Sequence, residues 1–110
     1  WARSHEVGSC RLLELGSGCG LISLAAAKLG FDVLATDYRE QPLDLLREAA
    51  RQQQLHVNTA LFDMRDNAPL PDADLVVASD ILYDESTARG LARCMAEARK
   101  RGSQILVTDM

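Results

Sequence analysis

The chain has 110 residues, 47% of them hydrophobic and 25% charged, which is ordinary for one globular domain and excludes a disordered chain. Its net charge of -4 argues against a nucleic-acid surface, because the only basic cluster, Arg99 to Arg101, falls where cations complement a predicted helix end. No apolar run approaches ~18 residues and no signal sequence is visible, so neither a membrane-spanning nor a secretory role is expected.

The predicted elements alternate. Arg11 to Leu15 (RLLEL) is short, apolar and ends at glycines, as a buried parallel strand does. The segment after Gly20 predicts a helix with Ile22, Ala25, Ala26 and Leu29 on its inner face and Gly30 at its end. Val33 to Thr36 predicts a second strand, with Asp37 closing it. Pro42 suits the first turn of a second helix, whose inner face carries Leu43, Leu46 and Ala50. Val57 to Phe62 predicts an edge strand, and the turn chemistry of Asn67 to Asp72 follows it. Leu75 to Ala78 predicts a central strand. Ala88, Leu91, Met95 and Ala98 mark a third helix that stops at Gly102. Gly90 is a weak point within it, worth about 1 kcal/mol against alanine and readily placed in its first, fraying turns. Ile105 to Thr108 predicts the fifth strand.

The order βαβαββαβ predicts an α/β fold, a doubly wound and mostly parallel sheet with helices on both faces. Cys10, Cys19 and Cys94 are scattered and form no CxxC pair. They are expected to be reduced thiols in a cytoplasmic setting, with neither disulfides nor a metal site. His5 and His56 are expected at the surface.

The segment Leu13 to Gly20 (LELGSGCG) links the first strand to the first helix, where such sheets bind ligands. Gly16, Gly18 and Gly20 allow a tight turn and close approach of backbone to a ligand; the plain alternative is a compact strand–helix joint. The dinucleotide fingerprint GxGxxG would place its last glycine at position 21, which is Leu21. That fingerprint holds an anionic pyrophosphate, whereas Glu14 adds acidity here, as a cationic ligand requires. A salt-bridged carboxylate is the other reading of Glu14. Asp37, at a strand end, suits both hydroxyls of a ribose, or else caps a helix. Asp63 suits an adenine amino group with Met64 against the ring, or else belongs to a turn.

Together, LLELGSGCGLISLAAA, VLATDY, LFDMRD and LVVASDILYDE resemble the class I S-adenosylmethionine-dependent methyltransferases over nearly the whole chain. The narrower likeness, through Asp80-Ile81-Leu82-Tyr83, is to the Asp-x-x-Tyr protein lysine methyltransferases and their nicotinamide N-methylase-like relatives. The resemblance implies a Rossmann-like methyltransferase fold. It also implies that Glu14, Gly16, Ser17, Gly18 and Gly20 surround the methionine part of S-adenosylmethionine. Asp37 would then hold the ribose, Tyr38 would belong to the cofactor-binding set, and Asp63 with Met64 would meet the adenine. Ser79 and Asp80 would line the cofactor, and Asp80 and Tyr83 would face the acceptor as catalytic residues. Trp1 is similar to a tryptophan that precedes the first strand in these proteins.

Met64 stands where members commonly have tryptophan, and Arg51 to Gln54 replace an Asn-rich helix end. Members also continue past the fifth strand, so residues 1–110 would form the cofactor-binding domain of a longer fold. The expected activity is N-methyl transfer from S-adenosylmethionine, with S-adenosylhomocysteine as product. The acceptor would be a protein lysine or, alternatively, a small nicotinamide-like amine. A nicotinamide-dependent oxidoreductase and a non-catalytic binding module are the competing classes.

Overall fold

The computed structural model describes residues 10–18, 20–66, 68–79 and 85–108. Along them run β1 (Arg11–Leu15), α1 (Leu21–Lys28), β2 (Asp32–Asp37), α2 (Glu40–Gln52), β3 (Asn58–Leu61), β4 (Leu75–Ser79), α3 (Glu85–Lys100) and β5 (Gln104–Thr108). All eight elements were expected, and the strand limits differ by a single residue. The sheet order is β3-β2-β1-β4-β5 and every pair is parallel. The Val57–Phe62 prediction becomes an exposed edge strand and Leu75–Ala78 an interior one, as their patterns require.

Alternation along β1 sends side chains to two separate cores. Leu13 and Leu15 join Val76 and Ala78 of β4 beneath Leu91, Cys94 and Ala98 of α3. Leu12 joins Val33 and Val77 beneath Ala26 of α1 on the other face. Each fully buried leucine contributes roughly 1.5–3 kcal/mol, so the sheet is held from both sides. α2 buries Leu43, Leu46 and Ala50, the face read from its spacing.

Two helix faces differ from expectation. In α1 the buried residues are Ser23 and Ala26, while Ala25 is exposed and Leu29 is 71% exposed. An alanine-rich helix has little contrast between its faces, and the carboxylate waiting for Ser23 pulls a polar residue inward. In α3 the buried stripe is Gly90, Leu91, Cys94 and Ala98, with Met95 half-buried and Ala88 exposed. Gly90 is therefore not in a frayed turn. A Cβ there would stand 2.2 Å from the Met64 carbonyl oxygen, so the backbone itself is in contact.

All three helices end alike. The N–H groups of Gly30 and Phe31 return to Ala27 and Ala26, and those of Gly102 and Ser103 return to Arg99 and Ala98. The same pair of bonds closes α2 through Gln54 and Leu55, which forces Gln54 to φ 57° without being glycine.

Among the other readings, Cys10 and Cys94 are buried, in no disulfide, and His56 is exposed. Arg101 closes α3 by pairing with Glu97 at 2.7 Å and Asp72 at 3.4 Å. No helix among the described residues is long and apolar enough to cross a membrane. His5 and Cys19 lie outside the described residues.

Candidate functional site

Because the strands are parallel, Leu15, Asp37, Leu61 and Ser79 all close their strands at one edge of the sheet. The chain leaves β1 toward α1 on one face, and α3 covers the other. In open parallel sheets ligands bind where neighbouring connections part in this way, which here is between β1 and β4.

The glycine loop is pinned to that edge. Ser17 N–H donates to the Thr36 carbonyl at 2.8 Å, and Gly20 N–H donates to the Ser17 carbonyl at 2.8 Å. Gly18 has φ 53°, and among the described residues a Cβ built on it would find only the Gly16 carbonyl oxygen, at 4.0 Å. Gly20 faces the opposite situation. Its φ is 78°, and a Cβ would lie 2.6 Å from Leu46 Cδ1, so this glycine lets α2 close on the start of α1.

Glu14 lies beneath the loop and is 2% exposed. Among the described residues its partner is the Ser23 hydroxyl, which donates to Glu14 Oε1 at 2.5 Å, and not a cation. Burial pushes this carboxyl from 4.5 up to about 7; hydrogen bonds from Ser23 oppose the rise, and the nearby Asp37 charge adds to it. The Thr36 hydroxyl donates to the Glu14 carbonyl at 2.8 Å, which ties β2 to β1 at the same level.

Asp37, 3% exposed, stitches the loop to the end of β2. Its Oδ2 accepts Gly18 N–H at 3.3 Å, and its Oδ1 accepts Arg39 N–H at 3.0 Å and Arg39 Nε at 3.4 Å. It does not cap α2, whose first flanking residue is Arg39. Asp63 repeats the pattern. Its carboxylate receives Arg65 N–H and Nε at 2.9 Å each and Arg65 Nη2 at 2.8 Å, and this guanidinium holds its pKa below the usual carboxylate value. Both guanidiniums lie over the Tyr38 ring, Arg39 at 5.1 Å and Arg65 at 5.0 Å from its centroid. Asp37, Tyr38 and Asp63 are thus joined in one chain of contacts.

A family model described as "Lysine methyltransferase" matches residues 2–109. The chain belongs to the lysine methyltransferase family.

Similar proteins agree on the class. The protein N-lysine methyltransferase METTL21A of Danio rerio is 30% identical over 106 residues, covering 89% of this chain and 48% of its own length. TehB of Haemophilus influenzae, named a probable S-adenosyl-L-methionine-dependent methyltransferase, is 32% identical over 73 residues, 66% of this chain and 26% of its own. The TehB crystal structure superposes with a TM-score of 0.69 at 26% identity, over 86% of this chain and 34% of that one. A coclaurine N-methyltransferase structure bound to N-methylheliamine and SAH has a TM-score of 0.76 at 19% identity, over 94% of this chain and 32% of that one, and shows the shared fold. The chain therefore spans about a quarter to a half of the curated relatives it matches.

S-adenosylmethionine is the cofactor of this class, and the residues fit it. A cationic adenosyl compound needs carboxylates beside backbone free of side chains, which Glu14, Asp37 and Gly18 supply. Ser17 Oγ is the one buried side-chain polar atom without a partner among the described residues, and it sits in this loop.

The edge thus gathers Gly16, Ser17, Gly18, Asp37, Tyr38 and Asp63, with Met64 half-buried beside α3. Ser79 ends β4 at the same edge. Asp80, Tyr83 and Trp1 lie outside the described residues, so the structure does not place them. Ser23, Arg39 and Arg65 were not singled out from the sequence. A signal for the two arginines existed, because Asp-x-Arg occurs twice, as DYR and DMR.

Proposed function

We propose that the protein transfers a methyl group from S-adenosylmethionine to the side-chain nitrogen of a protein lysine. The observation that carries this reading is the lysine methyltransferase match joined to an acid–glycine–acid cradle at the carboxyl edge of the sheet. When bound, S-adenosylmethionine supplies an electrophilic methyl on a sulfonium, so the protein's task is binding and orientation, which can contribute ~7–11 kcal/mol.

In this reading Gly16 to Gly18 receive the methionine part, and Glu14 places its carboxyl beneath the cationic end. The Asp37 carboxylate has lone pairs beyond those used by Gly18 and Arg39, and it accepts from the ribose hydroxyls. Asp63 keeps a free acceptor direction for the adenine amino group, with Tyr38 and Met64 at its sides. Asp80 follows Ser79 directly in sequence and Tyr83 comes three residues later, which supports their facing the acceptor. A lysine amine, pKa ~10.4, must be neutral to react, and Asp80 orients it through a hydrogen bond while Tyr83 packs along the alkyl stem. The buried cysteines Cys10 and Cys94, in no disulfide, suit a reducing, cytoplasmic compartment.

The test is methyl transfer from labelled S-adenosylmethionine to protein extracts and, separately, to nicotinamide-like amines. Label on lysine that is lost in Asp80→Asn supports the reading. Label on the small amines alone overturns the acceptor class. Calorimetric binding of NAD with no response to S-adenosylhomocysteine overturns the cofactor reading.

A further inference from the structure

We infer that Arg93, with Gly90, is a positioning residue for the Asp63–Met64 turn and thereby sets the selectivity of the site for adenine over other purines. The inference rests on the proposed role of Asp63.

Between β3 and β4, residues 63–66 and 68–73 run on the α3 side of the sheet outside any strand. Backbone carbonyls in such a segment need donors, and α3 provides them. Arg93 Nη2 donates to the Asp66 carbonyl at 2.6 Å and the Met64 carbonyl at 3.3 Å, and Arg93 Nη1 donates to the Ala68 carbonyl at 3.3 Å. Glu97, one turn on, accepts Leu70 N–H at 3.2 Å and Arg93 Nη1 at 3.4 Å. Arg101, another turn on, donates to the Leu70 carbonyl. Gly90 begins the stripe, with its backbone against the Met64–Arg65 peptide. Residues 90, 93, 97 and 101 therefore hold the connection from one helix face.

The geometry of Asp63 depends on that hold. Its carbonyl accepts Asp66 N–H at 3.0 Å and its carboxylate accepts Arg65 N–H, so the carboxylate direction is fixed by the turn over Asp63 to Asp66. Arg93 grips two carbonyls of that same turn. A guanidinium does this because its fixed fork spans several acceptors at once. The Arg93 side chain is 32% exposed and reaches the Asp63–Met64 segment through the Met64 main-chain carbonyl.

A carboxylate aimed at position 6 of a purine accepts from the amino group of adenine and repels the oxo group of hypoxanthine. Affinities for S-adenosylhomocysteine and for its 6-oxo (inosine) counterpart are measured by calorimetry on the unmodified protein and on Asp63→Ala, Arg93→Met, Arg93→Lys and Gly90→Ala. The unmodified protein is expected to prefer the adenosyl ligand by about tenfold or more, and Asp63→Ala to abolish the preference. Arg93→Met and Gly90→Ala are expected to lower the ratio about fivefold or more, and Arg93→Lys to retain most of it. A merely structural role weakens both ligands equally and leaves the ratio alone. An unchanged ratio in Asp63→Ala overturns the role of Asp63. A ratio lost in Asp63→Ala but unchanged in Arg93→Met overturns only the role of Arg93. If Arg93→Met does not fold, Gly90→Ala decides in the same way, an unchanged ratio counting against the inference.

Discussion

The Ser23 hydroxyl donates to Glu14 Oε1 at 2.5 Å across the buried seam between α1 and β1. A helix residue thereby holds a strand carboxyl whose proton leaves only near pH 7, because burial disfavours the charge. The folded chain binds this proton more tightly than the unfolded one, in which the group titrates near 4.5. The Glu14 contribution to stability is thus complete below pH 4.5 and is lost as pH rises through about 7, by roughly 3 kcal/mol. Glu14→Gln should flatten that fall, as read from denaturant unfolding at pH 5 and pH 8. An equal pH slope in both proteins would remove Glu14 as its source.

Asp37 joins loop and strand, so its replacement has two separable effects. Asp37→Ala leaves Gly18 N–H without its acceptor and is expected to cost about 1–3 kcal/mol of stability, besides weakening S-adenosylhomocysteine more than about tenfold. Asp37→Asn keeps an acceptor for Gly18, so its stability should stay closer to that of the unmodified protein while affinity still falls. Calorimetry and thermal unfolding on the same samples distinguish the two. Undiminished affinity in both variants would remove Asp37 from the site.

Gly20→Ala is expected to destabilise the fold by about 2–4 kcal/mol, from left-handed backbone strain together with the collision at Leu46. Placing Leu46→Ala in the same chain should recover the collision part, so the two changes together cost less than their sum. Strict additivity in a double-mutant cycle would mean that α2 does not close on this glycine.

Gln54→Gly should stabilise the protein by about 0.5–1 kcal/mol, since it relieves φ 57° while both carbonyl closures of α2 are kept. The midpoint of urea unfolding reads this directly. A lower midpoint would show that the Gln54 side chain makes a contribution larger than its backbone strain.

Strand positions were legible because short apolar runs between turn residues have few other homes, and β1 and β4 are the clearest cases. The inner face of α2 was legible because its leucines stand against charged neighbours. α1 was not, since Ile22, Ala25, Ala26 and Leu29 look alike in sequence and the pull on Ser23 comes from Glu14, which is distant along the chain. Gly90 misled for a related reason. Local propensity records the cost of a glycine but not the Met64 carbonyl that needs the space. In the site, the acidic residues at strand ends were visible one by one, whereas the meeting of Arg39 and Arg65 over the Tyr38 ring depends on β2 and β3 lying side by side, with Asp37 opposite Leu61.

Leu15 of β1 and Ala78 of β4 stand side by side in the sheet, yet one strand feeds the loop toward α1 and the other precedes α3. The groups proposed for the nucleoside hang on one half of this divide, and the stretch proposed for the acceptor begins on the other. In that reading, changes between Ser79 and α3 alter the acceptor side while leaving Asp37, Asp63 and the α3 residues that hold the Asp63 turn untouched.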